Sequence, residues 1–177
     1  MHRTQTGLTL IETLIALALL AILLSLAVPS FHGNIQQQRV ATVANELITT
    51  LHLARSTAIR DRQRVTVCPS HDGMSCTGGN QWHEGWIVYR DPNAQPQPAS
   101  PDDVLRVVQA REGVYMHSAG RTRTRFRPDG AAYGTNLTIR ICDTSGHDHH
   151  RAIIVSNPGR ARTETDLPAS ECPPGFG

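Results

Sequence analysis

The sequence predicts an α+β protein: one long amino-terminal helix, transmembrane at first and then amphipathic, packed on an antiparallel β-sheet domain. Three observations carry this reading. Leu8–Val28 is a nearly continuous apolar run; from Ile35 to Asp61 apolar residues recur every three or four positions; and after Arg62 the chain breaks into short β-branched runs separated by turns. A length of 177 residues suits one medium domain with an appendage, and 39% hydrophobic against 18% charged residues excludes both a disordered chain and a polytopic membrane protein. No internal repeat is present.

The apolar run holds one charge, Glu12. As a helix it reaches about 31 Å, the thickness of a bilayer core. It is too long for the apolar region of a cleaved secretory signal, and no small-x-small site follows it. Arg3 ahead of the run predicts a cytoplasmic amino terminus, with everything after Pro29 across the membrane. A carboxylate about one turn inside an apolar helix needs a partner, and the free amino group of a neighbouring chain would serve.

Gly7-Leu8-Thr9-Leu10-Ile11-Glu12 ahead of a long apolar helix resembles the amino terminus of type IV prepilins and pseudopilins. The resemblance implies a pilin-like fold, cleavage after Gly7 by a prepilin peptidase, and N-methylation of Leu8, where the pattern usually has Phe. It also implies that Glu12 neutralises the amino terminus of an adjacent subunit during assembly. The expected organisation is a leader over residues 1–7, a membrane and assembly helix over 8–29, an amphipathic helix over 30–62, and a periplasmic β-rich domain with a tail over 63–177.

In the amphipathic segment Val40, Val43, Leu47, Leu51, Ala54 and Ala58 form a stripe that reads as a core-packing face. Pro29 and Gly33 are expected to bend or loosen the helix before it. Strands are expected at Arg64–Cys68, Gly85–Tyr89, Val104–Val108, Val114–His117, Thr122–Phe126, Leu137–Cys142 and Arg151–Val155. Asp91 to Asp102 contains Pro92, Pro96, Pro98 and Pro101 and reads as an exposed loop.

Cys68, Cys76, Cys142 and Cys172 suit two disulfides in an oxidising compartment. Pairing of Cys68 with Cys76 would stiffen a turn-rich loop, and Cys142 with Cys172 would tether the tail to a strand; the connectivity stays open. A zinc site is the rival, but C-x7-C lacks close-paired ligand spacing.

Ala44-Asn45-Glu46-Leu47, Ala54-Arg55-Ser56-Thr57-Ala58-Ile59, Val67-Cys68-Pro69-Ser70, Gly85-Trp86, Phe126-Arg127-Pro128-Asp129-Gly130 and Asn157-Pro158-Gly159-Arg160-Ala161-Arg162 together resemble the GspH/FimT family of minor pilins and pseudopilins. That likeness implies partnership with major and minor pilins, and pili at the cell surface as the destination.

No P-loop, nucleophile elbow or dinucleotide fingerprint is present, so neither an enzyme nor a cofactor is expected. His147-Asp148-His149-His150 reads as a solvated loop rather than a metal site, because adjacent His149 and His150 point apart in an extended chain. The basic residues say more, since all 17 are Arg, whose planar fork suits phosphate and carboxylate. Arg121, Arg123, Arg125 and Arg127 alternate with other residues, so one strand would put four guanidiniums on one face. Either that face is solvated and paired with carboxylates, or it is a phosphate strip.

Arg160 and Arg162, after Gly159 and with Arg151 upstream, could grip neighbouring phosphates from an extended tail. Nothing there reads bases, so binding would be sequence-independent and salt-sensitive. The FimT branch is linked to DNA capture in natural transformation through its G-R-x-R tail, and the resemblance therefore implies non-specific binding of double-stranded DNA by Arg160 and Arg162. Arg151, Arg121, Arg123 and Arg125 would support them. Glu164, Asp166 and Glu171 follow closely and oppose the positive field. Two rivals are a purely structural minor pilin that primes or caps fibres and a minor pseudopilin of type II secretion.

Overall fold

The structure is a computed structural model that describes residues 9–144, 149–165 and 167–172, without the side chains of 25–34 and 169. Gly7, Leu8 and Asp166 lie outside the described residues. Helix α1 is Leu10–Arg60, and the chain divides into two units, residues 1–35 and 36–177.

In the first unit Thr9 caps the helix: the Glu12 N–H donates to Thr9 Oγ1 at 3.4 Å. Glu12 itself sits in the first turn, where the helix dipole favours an anion. Leu10, Ile11, Leu14, Leu17 and Leu24 are all exposed, so the described part of this segment shows apolar side chains on every side. Among the described residues no helix is long and apolar enough to cross a membrane. The run expected to do so, Leu8–Val28, extends into Leu8 and into the side chains of 25–28, which are not described, and α1 continues through Pro29 and Gly33 without a break.

The second unit closes its own core. Val40, Val43, Leu47, Leu51, Ala54 and Ala58 are all buried, as the stripe requires. After α1, Arg62 enters the left-handed region at φ 52° and turns the chain into the strands. These are β1 Val65–Pro69, β2 Gly85–Arg90, β3 Val104–Gln109, β4 Val114–Ser118, β5 Thr124–Phe126, β6 Leu137–Asp143, β7 Arg151–Val155 and β8 Ala161–Glu164.

The strands form two sheets where one was expected, with orders β3-β2-β1-β5 and β4-β6-β7-β8. Alternation along a strand reports which face is buried but not which strand lies beside it, so the division was invisible in the sequence. Both sheets and α1 share one core, in which Leu47, Trp86, Phe126, Ile139 and Ile153 meet.

The outer faces of the two sheets differ. β1 is buried throughout and β2 nearly so, because a second apolar cluster of Cys68, Cys76, Ile87 and Tyr89, with Val104 against it, covers the outer face of the first sheet. The proline-rich loop is lashed over the same side: the Tyr89 hydroxyl donates to the Gln95 carbonyl at 3.1 Å, and the Gln95 N–H donates to Asp91 Oδ1 at 2.6 Å. In the second sheet β4 and most of β6 alternate buried with half-buried residues, so one face is open to solvent.

Cys68 pairs with Cys76 and Cys142 with Cys172. The closed loops have sequence separations of 8 and 30, for which chain entropy gives about 2–3 and 3–4 kcal/mol. Reduction is therefore expected to lower the urea midpoint of the domain. Cys142→Ser with Cys172→Ser should lower it more than Cys68→Ser with Cys76→Ser, which denaturation of the oxidised variants would check.

Candidate nucleic-acid interface

The segment expected to be an extended tail is a strand. β8 pairs antiparallel with β7, Ile154 opposite Arg162 and Val155 opposite Ala161, and forms the edge of the second sheet. Ala-Arg-Thr-Glu carries one apolar residue, so periodicity could not announce it. The turn supplies the pairing. The Gly159 N–H donates to the Ser156 carbonyl at 2.8 Å and the Ser156 N–H to the Arg160 carbonyl at 3.0 Å, while the Arg160 N–H reaches Ser156 Oγ at 3.2 Å. This is a three-residue hairpin with a left-handed glycine at its end.

Gly159 also docks the hairpin. Its φ is +77°, and a Cβ there would lie 1.9 Å from the Gly130 carbonyl oxygen. The Ala132 N–H donates to the Asn157 carbonyl at 2.8 Å beside it, and Arg55 Nε of α1 donates to the same Gly130 carbonyl at 2.9 Å. Phe126–Gly130 and Asn157–Arg162, 27 or more positions apart in the chain, are thus one contact that α1 anchors.

Ala161 and Thr163 pair with Val155 and Ile153 of the core, so Arg160 and Arg162 project from the opposite, solvent-facing side. Both are exposed, and among the described residues neither guanidinium holds an ion pair or hydrogen bond. With Ser156, Pro158 and Ala161 they line a hollow of about 400 Å³. Two Cα atoms at this spacing on one face are about 6.8 Å apart.

The other expected arginines do not join them. Arg151 stands opposite Ile141 with the parity of Ile153 and Val155, on the other face and at the far end of β7. The four-arginine strip does not form, because only Thr124–Phe126 is strand. Arg125 pairs with Asp91, whose side chain is 1% exposed, at 2.6 Å, and Arg127 lies 3.9 Å from Asp129. Arg121 Nη1 donates to the Gly134 carbonyl, and Arg121 and Arg123 line a hollow of about 220 Å³. Of the two readings of the strip, carboxylate pairing describes Arg125 and Arg127.

Arg140 was missed. It stands on the open face of β6 and meets Glu171 at 2.6 Å; the alternation of Leu137-Thr138-Ile139-Arg140-Ile141 would have placed it there. His117 is opposite it on β4, and burial first, with the Arg140 charge second, holds the imidazole below its usual pKa. Glu164 shares the open face opposite Ala152.

Of the histidine cluster, His147 and Asp148 lie outside the described residues, and His150 is buried with Nδ1 accepting the Asp143 N–H at 3.2 Å. Cys142, His150 and Cys172 bring ligand atoms within 4.8 Å of one another, but the disulfide occupies both sulfurs.

A helix packed on antiparallel sheets in this arrangement is the α+β fold of type IV pilins. The type IV minor pilin FimU of Pseudomonas aeruginosa (strain PAO1) matches it with a TM-score of 0.58 at 22% identity, over 79% of this chain and 96% of that one. The minor pseudopilin EpsH from the Type 2 Secretion System of Vibrio cholerae matches with a TM-score of 0.52 at 14% identity, over 72% and 97% of the two chains. The profile of the family described as Type II transport protein GspH matches residues 43–159, and the Prokaryotic N-terminal methylation motif matches residues 2–28. The chain belongs to the GspH family. It is similar to the Pilin-like protein PilA1 of Thermus thermophilus, 27% identical over 174 residues, 91% of this chain and 99% of that one. With the amino-terminal methylation motif and this family match, the chain is of the type IV pilin and pseudopilin class.

Proposed function

We propose that this minor pilin binds double-stranded DNA without sequence preference for uptake in natural transformation, through phosphate contacts from Arg160 and Arg162. The observation that carries the proposal is that these two guanidiniums are exposed on the solvent-facing side of the second sheet and free of carboxylate partners among the described residues, on a hairpin docked to the core by Gly159. Rigid placement matters because a free tail would lose side-chain and backbone entropy on binding. Two contacts make a weak site, which repeated engagement along a pilus would strengthen by avidity.

Assembly follows the same reading. A prepilin peptidase cleaves after Gly7 and methylates Leu8, residues 8–29 anchor the chain in the inner membrane with its amino terminus cytoplasmic, and the β-rich domain stands in the periplasm. Glu12 then pairs with the amino group of a neighbouring pilin as the subunit enters the fibre.

The test is fluorescence anisotropy of labelled duplex DNA with the full chain in detergent, titrated at several salt concentrations. Arg160→Ala with Arg162→Ala is expected to weaken binding at least about tenfold on every sequence and to flatten the log–log salt slope by about 1.8, two phosphate contacts at about 0.9 each. Unchanged affinity would remove the hairpin from DNA binding. No binding by the unaltered chain at low salt would favour the structural pilin that primes or caps fibres, or the secretion pseudopilin.

A further inference from the structure

We propose that the open face of the second sheet carries a second phosphate subsite, centred on Arg140 with Arg121, which Glu171 fills as a built-in anion in the free protein. The inference rests on the DNA-binding reading above and extends it to residues outside the hairpin.

The ground is continuous. A hollow of about 340 Å³ is lined by Arg121, Asn136, Thr138, Arg140 and Ser156 among others, and Ser156 also lines the hollow at Arg160 and Arg162. Register places the parts: Arg162 stands opposite Ile154, and Ile154 opposite Thr138, with Arg140 the next residue on that face of β6. Two strand spacings across and two residues along put the Cα atoms of Arg162 and Arg140 about 12 Å apart. An extended polyanion crossing β8, β7 and β6 would therefore meet the hairpin arginines and then Arg140, passing Ile154 and the Thr138 hydroxyl, with Ser156 and Asn136 lining the hollow on the side away from Arg140 and Glu164, opposite Ala152, beside the path.

Glu171 shows what chemistry this position takes. Its Oε2 lies 2.6 Å from Arg140 Nε, in a pair whose side chains are 20% and 40% exposed. The next residue, Cys172, is bonded to Cys142, two positions after Arg140 on the same strand face. The disulfide thus holds a carboxylate at the guanidinium at high effective concentration. A phosphate oxygen offers the same charge and acceptor geometry, so DNA and Glu171 compete for one guanidinium. While Glu171 is seated, DNA engages the hairpin alone; when it is displaced or neutralised, the footprint grows by a contact.

The test uses the same full chain and duplex, with the disulfides oxidised. Glu171→Gln is expected to tighten binding about threefold to tenfold and to steepen the salt slope by about 0.9, one further contact. Adding Arg140→Ala should abolish the gain while thermal melting stays cooperative. A gain that survives Arg140→Ala would be a general effect of net charge and would overturn the subsite. No change on Glu171→Gln, with the Arg160→Ala, Arg162→Ala loss intact, would overturn the subsite and leave the hairpin site standing. Absence of binding by both the unaltered chain and Glu171→Gln would overturn the two together.

Discussion

Gly159→Ala is expected to destabilise the β-rich domain by about 3 kcal/mol and to lower its melting temperature by about 10 °C. Two costs add. A non-glycine residue at φ +77° is strained, which alone costs about 1–2 kcal/mol. The new methyl would also stand 1.9 Å from the Gly130 carbonyl oxygen and 3.2 Å from Ala131 Cα, both backbone atoms that cannot rotate away. Relief requires the hairpin to lift off the Phe126–Gly130 turn, which breaks the Ala132-to-Asn157 hydrogen bond and moves Arg160 and Arg162 with it. Gly120→Ala is the control: its φ is +73° but open space surrounds it, so only the backbone strain is expected. Thermal melting of the two variants separates strain from docking. Equal losses would mean that the hairpin is not held where Gly159 places it.

Asp91→Ala should cost a similar amount, about 3 kcal/mol, by a different route. Asp91 Oδ2 accepts from Thr66 Oγ1 at 2.7 Å and from Arg125 Nε at 2.6 Å, and Oδ1 accepts from the Gln95 N–H at 2.6 Å. Its removal leaves the Arg125 guanidinium, only 19% exposed, without its carboxylate and a buried Thr66 hydroxyl without its acceptor. The proline-rich loop loses its fastening at Gln95 as well. Urea denaturation checks the stability. A companion Arg125→Ala variant is expected to lose stability while keeping the DNA affinity of its folded fraction, since the Arg125 guanidinium is engaged with Asp91 and with Thr66 of the first sheet. Loss of affinity without loss of stability would return Arg125 to the binding surface.

The legible parts of this fold are those whose signal is local. The stripe from Val40 to Ala58 is a helical period written in the chain, and each of its residues is buried. Seven strands carry β-branched runs with turn residues beside them, and their ends shift by at most two positions from those expected. β8 carries no such run; its existence depends on β7 and on a glycine turn docked against another turn. The halving of the sheet was equally silent, because Trp86 and Ile139 read alike whether they face one another across a core or lie on one surface.

The arginines separate local from tertiary information most sharply. By itself the sequence determined that the basic charge is all guanidinium, that Gly159-Arg160-Ala161-Arg162 presents two forks at a two-residue spacing, and that a leader-like segment and apolar helix precede a β-rich domain. Only the tertiary structure decided which forks are free. Arg125 finds its carboxylate 34 positions away and Arg140 finds its own 31 positions away, whereas the docked hairpin holds Arg160 and Arg162 on open surface. Ionic pairing is set by separations of a few ångströms in space, and no spacing along the chain encodes them.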